Sequence, residues 1–455
     1  MDQKQYQCKW LALIGLCLLA FTAFLDATIV DTALPFIQTA LNANIFQLQW
    51  VANIFTIILS MTMIAVGNLT EYFGSKKIFY FGVIIFSIAA FAAGFSPTIH
   101  ILVGFRGLQA LGTSIIFVTS AALLSDIFPH HQRIRAISIY TGVTGFGLMI
   151  GPLLGGILVA LLDWRWIFWI NLPLIAIGLI ACVFSMEKCD HKKSKVSIDW
   201  RGLFFLILGL GTVMYGIVEV AQSDSLLPLA LLGIGIITIA LLIIFNKRQA
   251  NSLFDFTIFR KELIGLTSLS CALAGVASTV FLFFDPLYLS HIRNFNPFWI
   301  GLFIAVIPSA QALIAFAFSM VAKRFAIENL LLFSVVAGWL AISLHRLFDF
   351  HTPIVFLILP FFLLGINWGL SNSTMILAVN QVIPIQKVGK SIGTIVTIWN
   401  VVGSVLLATS AALFHTAQVE DEFLIPFHRM TDLNIVFCSL ILIFSARLWL
   451  KSKKI

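Results

Sequence analysis

Asp26 lies in a run of apolar residues extending from Leu11 to about Thr32, long enough to cross a hydrocarbon core of ~30 Å. At ~1.5 Å per residue from Leu11, Asp26 stands roughly 22 Å along that segment and Asp31 near its far boundary. An ionised side chain in the middle of a lone membrane helix costs about 2.5–3.5 kcal/mol. Such an acid needs a polar interior, a partner or a proton. The chemistry open to it is reversible protonation coupled to movement of a solute, or attraction of a cationic solute. An acid merely paired with a neighbouring helix is the structural alternative. Arg106 also falls inside an apolar segment; it is charged at any biological pH and must face the interior and find acceptors. Gln109 follows on the same face, one turn on. Asp26 is the natural electrostatic partner of Arg106. Asp26 and Asp31 are separated by about 140° around a helix and so do not form one carboxylate pair. Asp31 is read either as a recognition residue for a cationic substrate or as an interfacial charge.

Only membrane helices can position such residues in this chain. Its 455 residues are 60 % hydrophobic and 11 % charged, with a mean hydropathy of +1.02. A soluble protein carries roughly 25 % charged residues, so no soluble fold accounts for the composition. Apolar segments at 11–32, 47–69, 78–96, 99–121, 137–161, 166–185, 202–220, 226–245, 263–284, 298–320, 329–347, 353–376, 391–414 and 432–450 predict an all-α polytopic membrane protein with fourteen transmembrane helices. The net charge of +8 is a matter of orientation, not of nucleic-acid binding. Of the 28 Lys and Arg, only Arg165, Arg293, Arg346 and Arg429 fall opposite the N-terminus, and Arg106 falls within a span. Lys76, Lys77, Arg133, Arg135, Lys188, Lys192, Lys193, Lys195, Lys247, Arg248, Lys451 and Lys453 are among those on the N-terminal side. By the positive-inside rule both termini are expected in the cytoplasm. The first span lacks a small-residue cleavage site and is expected to stay as an anchor.

Loop lengths divide the spans. The connection Glu187–Arg201 separates six from the rest, a hairpin follows, and the charged loop Asn246–Glu262 precedes six more. The expected organisation is an N-terminal six-helix bundle at 1–189, a linker with two additional helices at 190–250 and a C-terminal six-helix bundle at 251–455. Two such bundles are what a pseudo-symmetric alternating-access transporter needs. The six cysteines show no paired spacing, so neither a disulfide framework nor a zinc site is expected. VGKS (Val388–Ser391) ends like a phosphate-binding loop, but Pro384 stands where the first glycine is required. No catalytic constellation, metal site or cofactor is legible, and an enzyme is not expected. The outer loop His415–Asp432 is acidic and expected to be solvated, and His291, His345, His351, His415 and His428 fall on the outer side, read as interfacial histidines with sensing of external pH as the alternative.

The fifth span contains GFGLMIGPLLGG, in which Gly147, Gly151 and Gly155 recur every four residues and leave one face without side chains. Pro152 removes a backbone donor beside that face, and Gly156 completes the pattern. With FLDATIVDTALP around Asp26, DWRWIFWINLP (Asp163–Pro173) and RGLQALG (Arg106–Gly112), the chain resembles the fourteen-span drug:proton antiporter family of the major facilitator superfamily. The resemblance implies a major facilitator fold, proton coupling through Asp26 and Arg106, and an antiporter motif at Gly147, Gly151, Pro152, Gly155 and Gly156. GNLTEYFGSKK (Gly67–Lys77) is similar to the superfamily's gate loop at Gly67, Gly74 and Lys76, with Glu71 in place of Asp. Tyr72 and Ser75 replace its basic residues. At the corresponding place in the second half, Lys323 and Glu328 have the charges exchanged. Glu219 and Asp285, near the outer ends of spans seven and nine, are weaker candidates for substrate binding along with Asp31 and Gln109.

The function expected from this pattern is proton-coupled export of amphipathic compounds, drug-like or toxic organic molecules, across a cell inner membrane. Its partners would be protons, the amphipathic substrate and the lipid bilayer, with accessory envelope proteins as a further partner to be tested. Export of a specific metabolite, siderophore or lipid-like compound is the alternative within transport; a non-transporting membrane sensor or scaffold is the alternative outside it.

Overall fold

Among the residues that the structure, a computed structural model, describes (8–186, 200–220, 225–246, 258–259, 261–383, 388–414 and 423–452), nearly all are helical. A chain in lipid must satisfy its backbone donors and acceptors within each segment, which a helix does. In the first part of the chain the helices are α1 (Lys9–Ala40), α2 (Ile45–Phe73), α3 (Ser75–Ala93), α4 (Ile99–Ile127), α5 (His130–Leu161) and α6 (Trp166–Ser185). A hairpin of α7 (Trp200–Val220) and α8 (Leu227–Asn246) follows. The remainder holds α9 (Glu262–His291), α10 (Pro297–Phe318), α11 (Ile327–His345), α12 (Ile354–Val382), α13 (Val388–Ala412) and α14 (Leu424–Ser452). All but α7 contain a stretch long and apolar enough to cross a membrane; α7 has the apolar core Ile207–Ile217. Hydroxyls inside the spans bond back along their own helices, as Thr22 does to the Leu18 carbonyl (2.8 Å) and Ser60 to that of Thr56 (2.7 Å). Large apolar side chains such as Ile88, Phe184 and Phe316 are exposed, as suits a lipid-facing surface.

The chain forms two compact units, one of residues 1–43 with 50–198 and one of 44–49 with 199–455. In the first, α1 packs on α4, α5 and α6, while α3 lies along α4. Leu13, Leu16, Phe79, Phe86, Ile116, Leu123 and Phe128 form its core. In the second, α9 is central, packed on α11, α12, α13 and α14, and the α7–α8 hairpin lies against α13. Three buried hydroxyls fasten α9, α11 and α12: Ser270 and Ser371 are 2.7 Å apart, Ser334 and Ser371 2.8 Å, and the Asn367 amide donates to the Ser334 carbonyl (3.0 Å).

The helices outrun the apolar segments that announce them. Residues 67–73, expected as a loop, continue α2 to Phe73, and the reversal into α3 is made by Gly74 alone. Gly74 has φ 92° and ψ 135°, a conformation that side chains resist. A non-glycine residue held there costs about 1–3 kcal/mol. Gly74→Ala is therefore expected to lower the thermal unfolding midpoint in detergent, whereas Ala at the exposed Gly104, where a Cβ meets nothing within 4 Å, should not. The outer loop expected up to Asp432 is also shorter: α14 begins at Leu424, and Asp432 is a helical residue paired with Arg346 (2.8 Å). The acidic residues 420–422 and the Lys-rich residues 188–195 lie outside the described residues.

Candidate functional site

α1 is long, apolar and carries only two acids along its membrane-spanning length. Asp26 is fully buried, and three other helices supply what surrounds it. From α4, Arg106 Nη1 donates to Asp26 Oδ2 at 2.6 Å and to Gln109 Oε1 at 3.2 Å. Gln109 Nε2 donates to Asp26 Oδ1 at 3.0 Å, and from α6 the Asn171 amide donates to the same oxygen at 2.8 Å. α2 completes the setting: its Val51 carbonyl accepts from Arg106 Nε at 3.4 Å, and the Phe55 ring lies 4.3 Å from the guanidinium carbon. Arg106 is only 1 % exposed. Three donors on two oxygens suit an ionised carboxylate, which only accepts. Oδ1 accepts two of these donors and Oδ2 one, so a proton on Oδ1 would displace one of its bonds, and a proton on either oxygen removes the charge that all three donors meet.

The glycine face of α5 presses on the turn of α1 that carries this acid. A Cβ on Gly147 would lie 2.7 Å from the Phe21 carbonyl oxygen, one on Gly151 2.1 Å from Thr28 Oγ1, and one on Gly155 2.3 Å from Thr32 Oγ1 and 2.7 Å from the Ile29 carbonyl oxygen. Pro152 leaves the Leu148 carbonyl without its helical donor, and the Thr28 hydroxyl of α1 supplies one at 3.1 Å. Gly156 and Pro152 are buried beside this contact. The motif thus joins α5 to α1 through backbone, at the level of Asp26.

The remaining sequence candidates do not join this cluster. Asp31 is buried in α1 to 9 % exposure, and none of the hydrogen bonds around Asp26 reaches it. Glu219, half-buried in α7, and Asp285, in α9, belong to the second unit. Lys76 donates to the Met186 carbonyl at the end of α6, so its partner is a helix terminus instead of an acid. Gly67 and Glu71 are in the helical backbone of α2, and the surroundings of both lie outside what the structure describes. No ion pair joins Lys323 to Glu328 among the described residues. Asn171 was not singled out from sequence, although a lone amide inside a strongly apolar span is a signal of the same kind as Asp26. Asp285, a weak substrate-binding candidate, and His345, read as interfacial, are both fully buried and 3.4 Å apart.

The pattern of the Major Facilitator Superfamily matches residues 16–407. The chain belongs to that superfamily. It is a multi-pass membrane transporter, with thirteen helices long and apolar enough to cross a membrane among the described residues. Among curated relatives, it is 31 % identical over 313 residues to the multidrug resistance protein Stp of Mycobacterium tuberculosis, covering 67 % of this chain and 57 % of Stp. The match thus spans less than two thirds of Stp. The riboflavin transporter RibZ of Clostridioides difficile is 27 % identical over 86 % of this chain and 85 % of its own length. The probable multidrug resistance protein EmrY of Escherichia coli is 26 % identical over 78 % of this chain and 70 % of its own. Among solved structures, a peptide transporter POT in complex with sulfate superposes with a TM-score of 0.70 at 13 % identity, covering 98 % of this chain and 96 % of that one. A point mutant of the nucleoside transporter NupG does so with 0.67 at 13 %, covering 96 % and 99 %. These likenesses carry the major facilitator fold. Membership in a transporter superfamily also agrees with the expectation that the chain is not an enzyme.

Proposed function

We propose that the protein is a proton-coupled antiporter that exports amphipathic organic compounds by alternating access, with Asp26 as its proton carrier. The observation that carries this reading is the fully buried Asp26 carboxylate held by Arg106, Gln109 and Asn171 from two other helices. Uptake of a proton removes the charge and weakens the bonds from Arg106, Gln109 and Asn171, loosening α4 or α6 from α1; loss of the proton draws them back. The two protonation states therefore prefer different helix arrangements. Each charge moved along the membrane potential supplies about 2.3 kcal/mol per 100 mV, enough for roughly 50-fold accumulation. The distribution of Lys and Arg supports cytoplasmic termini and a cell inner-membrane location. An amphipathic cargo agrees with the names of Stp and EmrY and with spans rich in Phe and Trp.

A second reading of the cargo, a single specific metabolite, is favoured by RibZ, whose match covers 86 % of this chain and 85 % of its own. A panel including lipophilic cations and riboflavin, presented to everted vesicles, separates the two. In the same vesicles, wild-type protein is expected to release protons when cargo enters, and Asp26→Asn to abolish that release while remaining in the membrane. Undiminished proton release by Asp26→Asn would remove Asp26 from the mechanism.

A further inference from the structure

The second unit contains a buried acid and a buried base that the Asp26 reading does not use. Asp285 on α9 and His345 at the end of α11 are both fully buried, with His345 Nε2 3.4 Å from Asp285 Oδ1. The other ring nitrogen of His345, Nδ1, lies 2.8 Å from the Ala341 carbonyl oxygen. A carbonyl only accepts, so Nδ1 carries a hydrogen. Nε2 of a neutral ring would then present a lone pair to Asp285, and an ionised carboxylate facing a lone pair in an apolar interior is repulsive. The contact is favourable only when one proton lies between them, as imidazolium with carboxylate or as imidazole with carboxylic acid. Neither oxygen of Asp285 has a hydrogen-bond partner among the described residues. The rings of Phe281 (4.5 Å between centroids), Phe348 (4.6 Å) and Phe361 (5.8 Å) enclose the imidazole. We propose that Asp285 and His345 together form a second proton-binding site, which holds one proton in this conformation and exchanges it with solvent.

Two features beside the pair suit exchange. α9 passes through a π-helical turn at Ala277–Phe281, directly before the turn with Asp285, and Pro286 follows the acid. Both interrupt the regular hydrogen-bond ladder and make this stretch of α9 the one best able to shift. A cavity of about 200 Å³ opens where α11 leads into α12, lined in part by Asp349 and Thr352, and Phe348 forms both its wall and the cover of His345. The other ionisable groups around this end are engaged elsewhere or exposed. Tyr288 donates to the Asp349 carbonyl (2.6 Å) and Arg293 to that of Phe350 (2.6 Å). His428 contacts the Phe348 carbonyl (2.7 Å), and Arg346 pairs with Asp432. His291 rests on Phe423, while Asp349, His351 and Arg429 are exposed or half-buried at the surface. On α9 itself, Glu262 and Cys271 are ~20 Å or more down the helix from Asp285. α10 and α12 contribute no ionisable side chain among their described residues.

The test is nitrogen NMR of the full-length protein in detergent, labelled at the histidine rings, followed over roughly pH 5 to 8. His345→Gln identifies the His345 signals by their loss. In the wild type, Nδ1 is expected to stay protonated, and Nε2 to show a shared or attached proton that exchanges in deuterated water. In Asp285→Asn, Nε2 should revert to a bare, pyridine-type nitrogen. A pyridine-type Nε2 in the wild type beside an Asp285 whose infrared bands are those of an ionised carboxylate, or an Nε2 signal identical in Asp285→Asn, overturns the site; a shared proton that never exchanges reduces it to a static pair and overturns it equally. If Asp285→Asn no longer elutes as a single species, the infrared carboxyl bands of wild type and His345→Gln give the same reading, with a shifted Asp285 band expected and an unshifted one overturning the proposal. Asp26→Asn should leave the His345 signals unchanged, so this outcome is separable from that of the Asp26 mechanism.

Discussion

Arg106→Leu is expected to cost about 3–5 kcal/mol of stability, because removing one partner of a buried ion pair leaves the other uncompensated. Asp26 would keep its two amide donors but lose its counter-charge, and Val51 would lose a donor from the Arg106 side chain. Transport should disappear with it. Arg106→Lys is no substitute: the guanidinium reaches Asp26, Gln109 and Val51 from one rigid fork, which a single ammonium cannot reproduce. The informative control is the double change Asp26→Leu/Arg106→Leu. Replacing both charges with apolar groups removes the desolvation burden, so most of the lost stability should return, while transport stays absent. Thermal unfolding in detergent and cargo uptake by everted vesicles measure the two halves of this expectation. An Arg106→Leu protein that melts like the wild type would show that the guanidinium is not what compensates Asp26.

Asp26 and Arg106 could be matched from sequence because each is expensive in lipid and the chain offers few partners at comparable depth. Asn171 and Asp285 with His345 are polar groups of the same kind in or beside spans seen as apolar. Asp285 falls just beyond the apolar segment 263–284, whereas Asn171 and His345 fall inside theirs, at 166–185 and 329–347, but so near an end that a single polar residue reads as an interface. Helices do not end where hydrophobicity ends. α2 runs on through Asn68 and Glu71 until Gly74 permits a reversal, and α14 starts eight residues before its apolar segment. Hydropathy reports the membrane, whereas the end of a helix depends on the local backbone. The glycine stripe of α5 was legible as a contact face, but its partner was not. A similar contact in the second unit passed unread: a Cβ on Gly275 of α9 would lie 2.2 Å from the Trp399 carbonyl oxygen, and one on Gly403 of α13 2.5 Å from the Gly275 carbonyl oxygen. Two isolated glycines on separate helices carry no periodic signal, so only the packed structure makes them a pair.

The α1–α5 contact supports the other large expectation. Gly151→Ala would place a methyl 2.1 Å from Thr28 Oγ1, 3.0 Å from the Leu25 carbonyl oxygen and 3.1 Å from the Ile29 amide nitrogen. The Thr28 hydroxyl could turn away only by abandoning the Leu148 carbonyl, which Pro152 has already deprived of its helical donor. The two backbone atoms cannot turn at all, so the helices must part. Overpacking of this kind costs about 1–3 kcal/mol. Thr28→Ala/Gly151→Ala should recover part of the loss, because the closest atom is gone, but not all of it, because Leu25 and Ile29 remain. Gly145→Ala is the matched control on the same helix: a Cβ there meets nothing within 4 Å, and alanine's better helix propensity makes the change neutral or stabilising by up to ~1 kcal/mol. Leu25 and Ile29 bracket Asp26, so the displaced turn is the one that positions the carboxylate for Arg106, Gln109 and Asn171. Transport by Gly151→Ala should therefore fall further than its melting midpoint alone explains, whereas Gly145→Ala should retain both. Equal behaviour of the two variants would mean that the glycine face does not hold α1 in register.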